Sequence, residues 1–320
     1  MNEEIVKAYN RINEFINKTP VMKSRTLNTL VYMQVFFKCE NFQRVGAFKV
    51  RGAFNTIQQI LKSKPTGIIT HSSGNHAQAV ALAARELGIP ATIVMPKNAP
   101  SVKKDATESY GATIVECGNN PEDRRQKTDE LIEKYGYTLV HPYNDLRIIH
   151  GAGTAAYELL NEVGKLDYVL APVGGGGLLS GTSLCVKSMY PDSVVIGVEP
   201  ENANDAYLSF KDGTKIYPSI NPDTIADGLR TNLGDITFDV IKKNVDDIIT
   251  VSESEIVNAM RFLWERMKLV VEPSGAVPLA GLFKLAEGEL KELYQNKRIG
   301  IIISGGNIDL SEFFSISYEI

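Results

Sequence analysis

Tyr168-Val169-Leu170-Ala171-Pro172-Val173-Gly174-Gly175-Gly176-Gly177-Leu178 reads as a strand, a run of glycines and the first turn of a helix. The apolar run from Tyr168 to Val173 suits a strand covered on both faces, and a helical period takes over from Leu178 to Tyr190. Between them, consecutive glycine N–H groups can turn inward as an anion nest, to which the helix start adds its positive dipole end. A phosphate site is expected at Gly174, Gly175, Gly176 and Gly177.

The same alternation extends in both directions from this unit. Strands are expected at Val35 to Lys38, Gly67 to Thr70, Ala91 to Met95, Thr113 to Glu116, Thr138 to Val140, Val194 to Val198, Asp247 to Val251 and Ile299 to Ser304. Helical periods such as Asn75 to Leu87 and Pro121 to Tyr135 separate them, and Ser252 with Glu255 forms a capping box ahead of Ile256 to Lys268. The class is α/β, a mostly parallel sheet flanked by helices. The βαβ series over residues 66–145 could close a small mobile lobe, leaving residues 1–65 and 146–320 as the larger one. Ligands of such sheets collect beyond the carboxyl ends of strands.

A chain of 320 residues with 43% hydrophobic and 22% charged residues is expected to build a substantial core. Basic residues number 34 against 38 acidic ones, without a Lys/Arg run that could follow a phosphate backbone, so nucleic acid is not an expected partner. No apolar run reaches membrane-spanning length, and the sequence reads as cytoplasmic. Cys39, Cys117 and Cys185 are too dispersed for a disulfide framework or a zinc site and read as buried or incidental thiols.

The phosphate at the glycines could belong to a dinucleotide, since Gly175, Gly177 and Ser180 nearly fill the GxGxxG pattern and Glu199 ends the next strand where a ribose-binding acid would sit. A P-loop is excluded because no Gly-Lys-Ser/Thr follows. Three further motifs bear on the choice. Lys49 sits among apolar residues at a helix start, a setting that desolvates an amine, lowers its pKa and favours Schiff-base chemistry. Ser72-Ser73-Gly74-Asn75-His76-Ala77-Gln78 follows a strand and offers hydroxyls and free N–H groups to a carboxylate. Ile303-Ser304-Gly305-Gly306-Asn307 closes the last strand. Taken singly, each has an ordinary alternative: a solvated surface lysine, an N-cap and a strand-ending turn.

Taken together and in this order, the motifs resemble the β-family, or fold type II, of pyridoxal-phosphate enzymes, nearest its serine racemase and dehydratase branch. The resemblance runs over nearly the whole chain, through Lys18-Thr19-Pro20, Ala47 to Gly52, Ser72 to Gln78, Pro172 to Gly177, Gly197 to Pro200, Thr224 to Gly228, Trp264 to Lys268, Val271 to Gly275 and Ser304 to Asn307. It implies a two-domain, tryptophan synthase β-like fold, a homodimer and a small hydroxy amino acid as substrate. A nicotinamide cofactor would explain the glycines and none of the rest.

By this resemblance Lys49 carries the cofactor beside Phe48, Gly174 to Gly177 with Leu178 form the phosphate cup, Asn75 meets the 3′ oxygen, and Ser304 faces the pyridine nitrogen. A neutral hydroxyl there cannot keep the ring protonated as a carboxylate would, which lets loss of a β-hydroxyl compete with reprotonation. Ser72, Ser73, Gly74, Asn75 and His76 would hold the substrate carboxylate, and Ser73 would serve as a second acid/base opposite Lys49. Racemisation needs bases on two faces, whereas dehydration needs one. Arg124 or Arg125 could pair with a second carboxylate, which would make the enzyme a threo-3-hydroxyaspartate ammonia-lyase.

The resemblance further implies a divalent cation, magnesium, calcium or manganese, on Glu199, the Ala203 carbonyl and Asp205. It gives counterparts of a nucleotide (ATP) effector site in Arg44, Gln78, Tyr110, Lys268 and Asn307. Two departures stand out: Tyr143 where some members have asparagine, and His150-Gly151-Ala152-Gly153 in place of Ala-Gly-Gln-Gly, taken as a loop. His71, His141 and His150 read as structural. A non-catalytic sensor retaining the cofactor pocket is the remaining alternative, opposed by intact Lys49 and Ser73.

Overall fold

The computed structural model describes residues 2–99, 101–220, 222–288 and 291–310. Its strands are β1 (Val21–Met22), β2 (Gln34–Cys39), β3 (Ile68–His71), β4 (Ala91–Pro96), β5 (Thr113–Cys117), β6 (Thr138–Leu139), β7 (Tyr168–Pro172), β8 (Val194–Pro200), β9 (Asp247–Val251) and β10 (Arg298–Ile303). They form a six-stranded sheet in the order β1-β2-β10-β7-β8-β9 and a four-stranded sheet in the order β5-β4-β3-β6. Every pairing is parallel except β1 with β2, in which Val21 faces Lys38. The short antiparallel β1 was not anticipated from sequence.

Side chains of the larger sheet alternate between two apolar layers, as the two-residue period of a strand requires. Val35, Phe37, Ile299, Ile301 and Ile303 enter the layer under helices Glu253–Met267 and Pro273–Glu287. Phe36, Val169, Ala171, Val195 and Ile302 enter the opposite one, under helices Leu146–Val163 and Gly177–Met189. A third apolar cluster joins Val50, Phe54 and Ile57 of helix Lys49–Ile60 to Ala77, Val80 and Ala84 of helix Asn75–Glu86 and to Ile68 and Ile93 of the smaller sheet.

His150-Gly151-Ala152-Gly153 is not a loop: it lies inside helix Leu146–Val163. Its glycines let helices touch. A Cβ at Gly181, on helix Gly177–Met189, would lie 2.3 Å from the Ile149 carbonyl oxygen and 2.5 Å from the Gly153 nitrogen.

One polar cluster lies wholly within the body. Arg51 donates through Nε and Nη2 to Glu40 (2.6 and 2.8 Å) and through Nη1 and Nη2 to Glu158 (2.8 and 2.9 Å). Lys38 Nζ donates to Glu158 (2.6 Å) and to the Thr19 carbonyl (2.7 Å), and the Thr19 hydroxyl donates to Glu40 (2.6 Å). Two cations and two anions, all buried, thus neutralise one another and join β2, the loop before β1 and two helices. Arg51 is two residues beyond Lys49, so this lattice of bonds also fixes the helix that starts at the lysine.

Candidate active site

The carboxyl ends of β3, β6, β7 and β10 open on a common cavity of about 330 Å³, where ligands of parallel sheets are expected. Phe48, Lys49, Ser72, Ser73, Gly74, Asn75, His76, Arg124, Gly174 to Gly177, Leu178, Ser304 and Asn307 all line it. The stretch before Lys49 is pinned to the end of β10: Ala47 bridges to Gly305, and the Phe48 N–H donates to the Ser304 carbonyl (3.0 Å). The lysine opens onto the cavity and its amine donates to the Pro142 carbonyl (3.1 Å). Enclosure by protein pulls the amine down to about 8, with Glu272 acting in the opposite direction. A nucleophilic, partly neutral amine near pH 7 results.

Opposite the lysine's loop, β7 ends in the glycine cup. Gly176 adopts φ +85° and immediately precedes helix Gly177–Met189, so the dipole end of that helix points at the cup. A Cβ at Gly175 would lie 2.3 Å from the Tyr143 ring, and one at Gly174 would lie 2.8 Å from Leu229 Cα. The Thr237 hydroxyl donates to the Gly175 carbonyl (2.9 Å), holding the turn open. After β3, Gly74 N–H donates to Ser72 Oγ (3.2 Å), ahead of helix Asn75–Glu86. The Asn75 amide donates to Glu272 (3.0 and 3.1 Å) and its oxygen accepts from Asn307 Nδ2 (2.9 Å).

The two candidate arginines part company. Arg125 is 63% exposed and pairs with Glu122 (2.6 Å) on its own helix. Arg124 faces the cavity, and its buried Nε has no hydrogen-bond partner among the described residues. His71 and His76 also line the cavity, both held below the usual imidazole range by burial; His76 Nε2 is 3.2 Å from the Val140 carbonyl.

The family model for pyridoxal-phosphate dependent enzymes matches residues 12–305, across the loops of Lys49, Ser72 to His76 and the glycine cup and up to Gly305 at the end of β10. The chain belongs to that family. An L-threo-3-hydroxyaspartate ammonia-lyase of Saccharomyces cerevisiae is 49% identical over 316 residues, 98% of this chain and 95% of that protein. A serine racemase of Schizosaccharomyces pombe is 47% identical over 313 residues, 97% of this chain and 95% of that one. The structure of a serine racemase from Dictyostelium discoideum superposes with a TM-score of 0.91 at 44% identity, covering 96% of this chain and 98% of that one. The observed architecture is therefore fold type II of the pyridoxal-phosphate dependent enzymes.

For a pyridoxal-phosphate dependent enzyme the residues present fit the cofactor. The cup is a cradle that side chains would fill, and the lysine stands in the same cavity with a lowered pKa. The dinucleotide reading of Gly175, Gly177 and Ser180 fails here: Glu199 is fully buried, with its carboxylate accepting from the Ala206 and Tyr207 amides (3.0 and 2.8 Å), so it cannot meet a ribose.

Glu199 and Asp205 form a second buried acidic pair beside the cup. Among the described residues neither Asp205 oxygen nor the nearby Ser219 hydroxyl makes a hydrogen bond of ordinary geometry; Ser219 and the Leu233 N–H act on the carboxylate only as weak donors that lower its pKa. Burial pushes Asp205 up to about 7 and, with Asp205 adding, holds Glu199 well above the ordinary carboxylate range. Orphaned carboxylate oxygens of this kind suit a divalent cation, with the Ala203 carbonyl as the expected third ligand. Among the described residues no group of three or more His, Cys, Asp or Glu side chains could hold a metal.

Of the nucleotide counterparts, only Asn307 lines the cavity. Arg44 is paired with Glu86 and donates to the Phe15 carbonyl (2.7 Å), Tyr110 packs under Arg85, Gln78 is on helix Asn75–Glu86, and Lys268 donates to the Glu265 carbonyl (2.7 Å). The three cysteines are buried and free. Among the described residues no helix is long and apolar enough to cross a membrane.

Sequence reasoning assigned no role to Glu272, which lines the cavity, bonds Asn75 and acts electrostatically on Lys49. Its place within Val271 to Gly275 was the available signal. It also missed Pro142 as the lysine's acceptor and Asp227 to Asn232 as wall, contacts that only tertiary folding creates.

Proposed function

We propose that this chain is a pyridoxal-phosphate-dependent serine racemase that also dehydrates L-serine and L-threonine, an amino-acid racemase and ammonia-lyase in one site. The observation that carries this reading is Lys49, its amine lowered to about 8, sharing one cavity with Ser73 and the glycine cup. Pyridoxal phosphate, when bound, supplies the conjugated ring that takes up electron density from the α-carbon. Backbone N–H groups of Gly174 to Gly177 would bind the phosphate, and the neutral hydroxyl of Ser304 would meet the ring nitrogen. The N-terminus of helix Asn75–Glu86, with Ser72, Gly74 and His76, orients the substrate carboxylate by N–H groups and dipole. Lys49 Nζ takes the α-proton on one face; Ser73 Oγ returns one on the other, or the β-hydroxyl departs instead. The division into residues 1–65 with 146–320 and a mobile lobe of 66–145 belongs to the same proposal, supported by the separate four-stranded sheet.

A second reading, threo-3-hydroxyaspartate ammonia-lyase, is favoured by Arg124, whose cavity-facing guanidinium offers a buried donor to a second carboxylate. The same proposal includes a divalent cation on Glu199, Ala203 and Asp205, supported by the unpartnered Asp205 oxygens. It also includes a homodimer with a nucleotide effector near Arg44, Gln78, Tyr110 and Lys268. Asn307 supports the effector, since its bond to Asn75 would join that surface to the cavity.

The test is turnover of L-serine, D-serine, L-threonine and threo-3-hydroxyaspartate, with 2-oxo acid and enantiomer measured together. Racemisation with dehydration is expected, and Arg124→Gln should lower hydroxyaspartate turnover relative to serine about tenfold or more, as loss of a hydrogen-bonded charge predicts. Borohydride reduction should fix the cofactor on Lys49. Absence of turnover on all four substrates, with cofactor on Lys49, would leave a sensor.

A further inference from the structure

Between β6 and helix Leu146–Val163 the chain makes a tight turn whose residues each reach a different part of the site. The Pro142 carbonyl accepts from Lys49 Nζ (3.1 Å). The Tyr143 side chain fills the space that Gly175 and Gly177 leave open: a Cβ on either would come within 2.3 and 3.0 Å of it. Asn144 Oδ1 accepts from the Ile236 N–H (2.9 Å), tying the turn to the first turn of helix Asp235–Asn244. At the head of this turn stands His141, half-buried and set back from the cavity wall, its Nδ1 accepting from the N–H groups of both Tyr143 (3.2 Å) and Asn144 (2.8 Å).

We infer that His141 is a positioning residue: by accepting two backbone N–H bonds at Nδ1 it folds the turn that sets Pro142 against Lys49 and Tyr143 against the phosphate cup. The inference rests on the reading of the cavity as a cofactor site and adds to it a residue that touches neither cofactor nor substrate. An imidazole can accept two N–H bonds at one nitrogen only when that nitrogen carries no proton, so the ring must be neutral with its proton on Nε2. Its surroundings enforce this. Burial and the neighbouring His71 and Lys49 hold His141 down to about 4, while Asp145 acts in the opposite sense. The ring also stands edge-on to His71 (5.8 Å between centroids) and to Tyr143 (4.8 Å), which fixes its plane.

His141→Phe keeps a ring against His71 and Tyr143 and deletes the acceptor; His141→Asn keeps an oxygen that can accept from the N–H two residues on, as asparagine does in turns. In the holoenzyme, His141→Phe should weaken pyridoxal-phosphate binding about tenfold or more, two half-buried N–H groups having lost their partner and the turn its anchor. It should also move the pH profile of the bound cofactor's visible band, since the lysine's surroundings change. His141→Asn should bring binding back to within about threefold of wild type, as its acceptor replaces the one removed. Equal impairment of both variants, or wild-type binding and pH profile in His141→Phe, would overturn the inference. So would long-range ¹H–¹⁵N spectra of the wild type placing the His141 proton on Nδ1, a measurement that needs no variant. A wild type that binds no pyridoxal phosphate would instead overturn the functional reading.

Discussion

Ser73 and Lys49 share a cavity, and the proposed function gives them different chemistry to perform, which a single substitution separates. Ser73→Ala removes one hydroxyl and leaves the lysine, the cup and the backbone N–H groups of the carboxylate site in place. Proton removal at Lys49 Nζ followed by loss of the β-hydroxyl should survive. Return of a proton on the other face should not, so D-serine formation should fall at least about 10²-fold relative to 2-oxo acid formation, the lower range for one acid/base group. Parallel decline of both activities would make Ser73 a positioning group. At this scale the sequence was legible where a motif directly follows a strand, as for Ser72 to His76 and the four glycines, which do line one cavity, whereas the roles proposed for Lys49 and Ser73 came from the family resemblance. It was silent on residues whose role comes from a distant partner. Nothing local marks Tyr143 as the counterpart of Gly175, or Glu272 as the acceptor of Asn75, 197 positions away.

Helix ends and crossings account for most of what could be read between residue and fold. Pro121–Tyr135 was located to the residue because its signals are local: Asn120 caps it, proline occupies its first turn, and Gly136 ends it at φ +68°. The capping box of Ser252 and Glu255 likewise forms, with bonds of 3.3 and 2.6 Å. The crossing of helices Leu146–Val163 and Gly177–Met189 was not legible, because close approach is a property of the pair. A prediction follows from it. Gly181→Ala would place a methyl against backbone atoms of Ile149 and Gly153, which cannot rotate away. The variant should lose about 2 to 3 kcal/mol, the upper range for overpacking, read as a lower urea midpoint at unchanged slope. An unchanged midpoint would mean the helices can separate at no cost.

Across the whole molecule, two buried clusters of charge solve the same problem in different ways. In the acidic pair the Asp205 oxygens make no hydrogen bond of ordinary geometry among the described residues, and under the proposed cation site we expect a chelator to lower the melting temperature and magnesium or calcium to restore it. Asp205→Asn should melt at the same temperature with chelator and with metal. A wild type equally indifferent to both would remove the cation. The α/β class was legible at this scale from the recurrence of strand and helix periods, whereas strand order, with β10 between β2 and β7, was not, since order depends on crossovers that leave no local trace. The other cluster, of Lys38, Glu40, Arg51 and Glu158, is complete in itself. Removing one member of such a set strands a partner in the interior at a cost of about 3–5 kcal/mol, whereas apolar replacement of the whole set can be neutral. Descendants of this chain therefore cannot leave the arrangement one letter at a time. Drift at these four positions, where it happens, should arrive as coordinated replacement, and a lineage with too little stability in reserve is confined to the four residues it inherited.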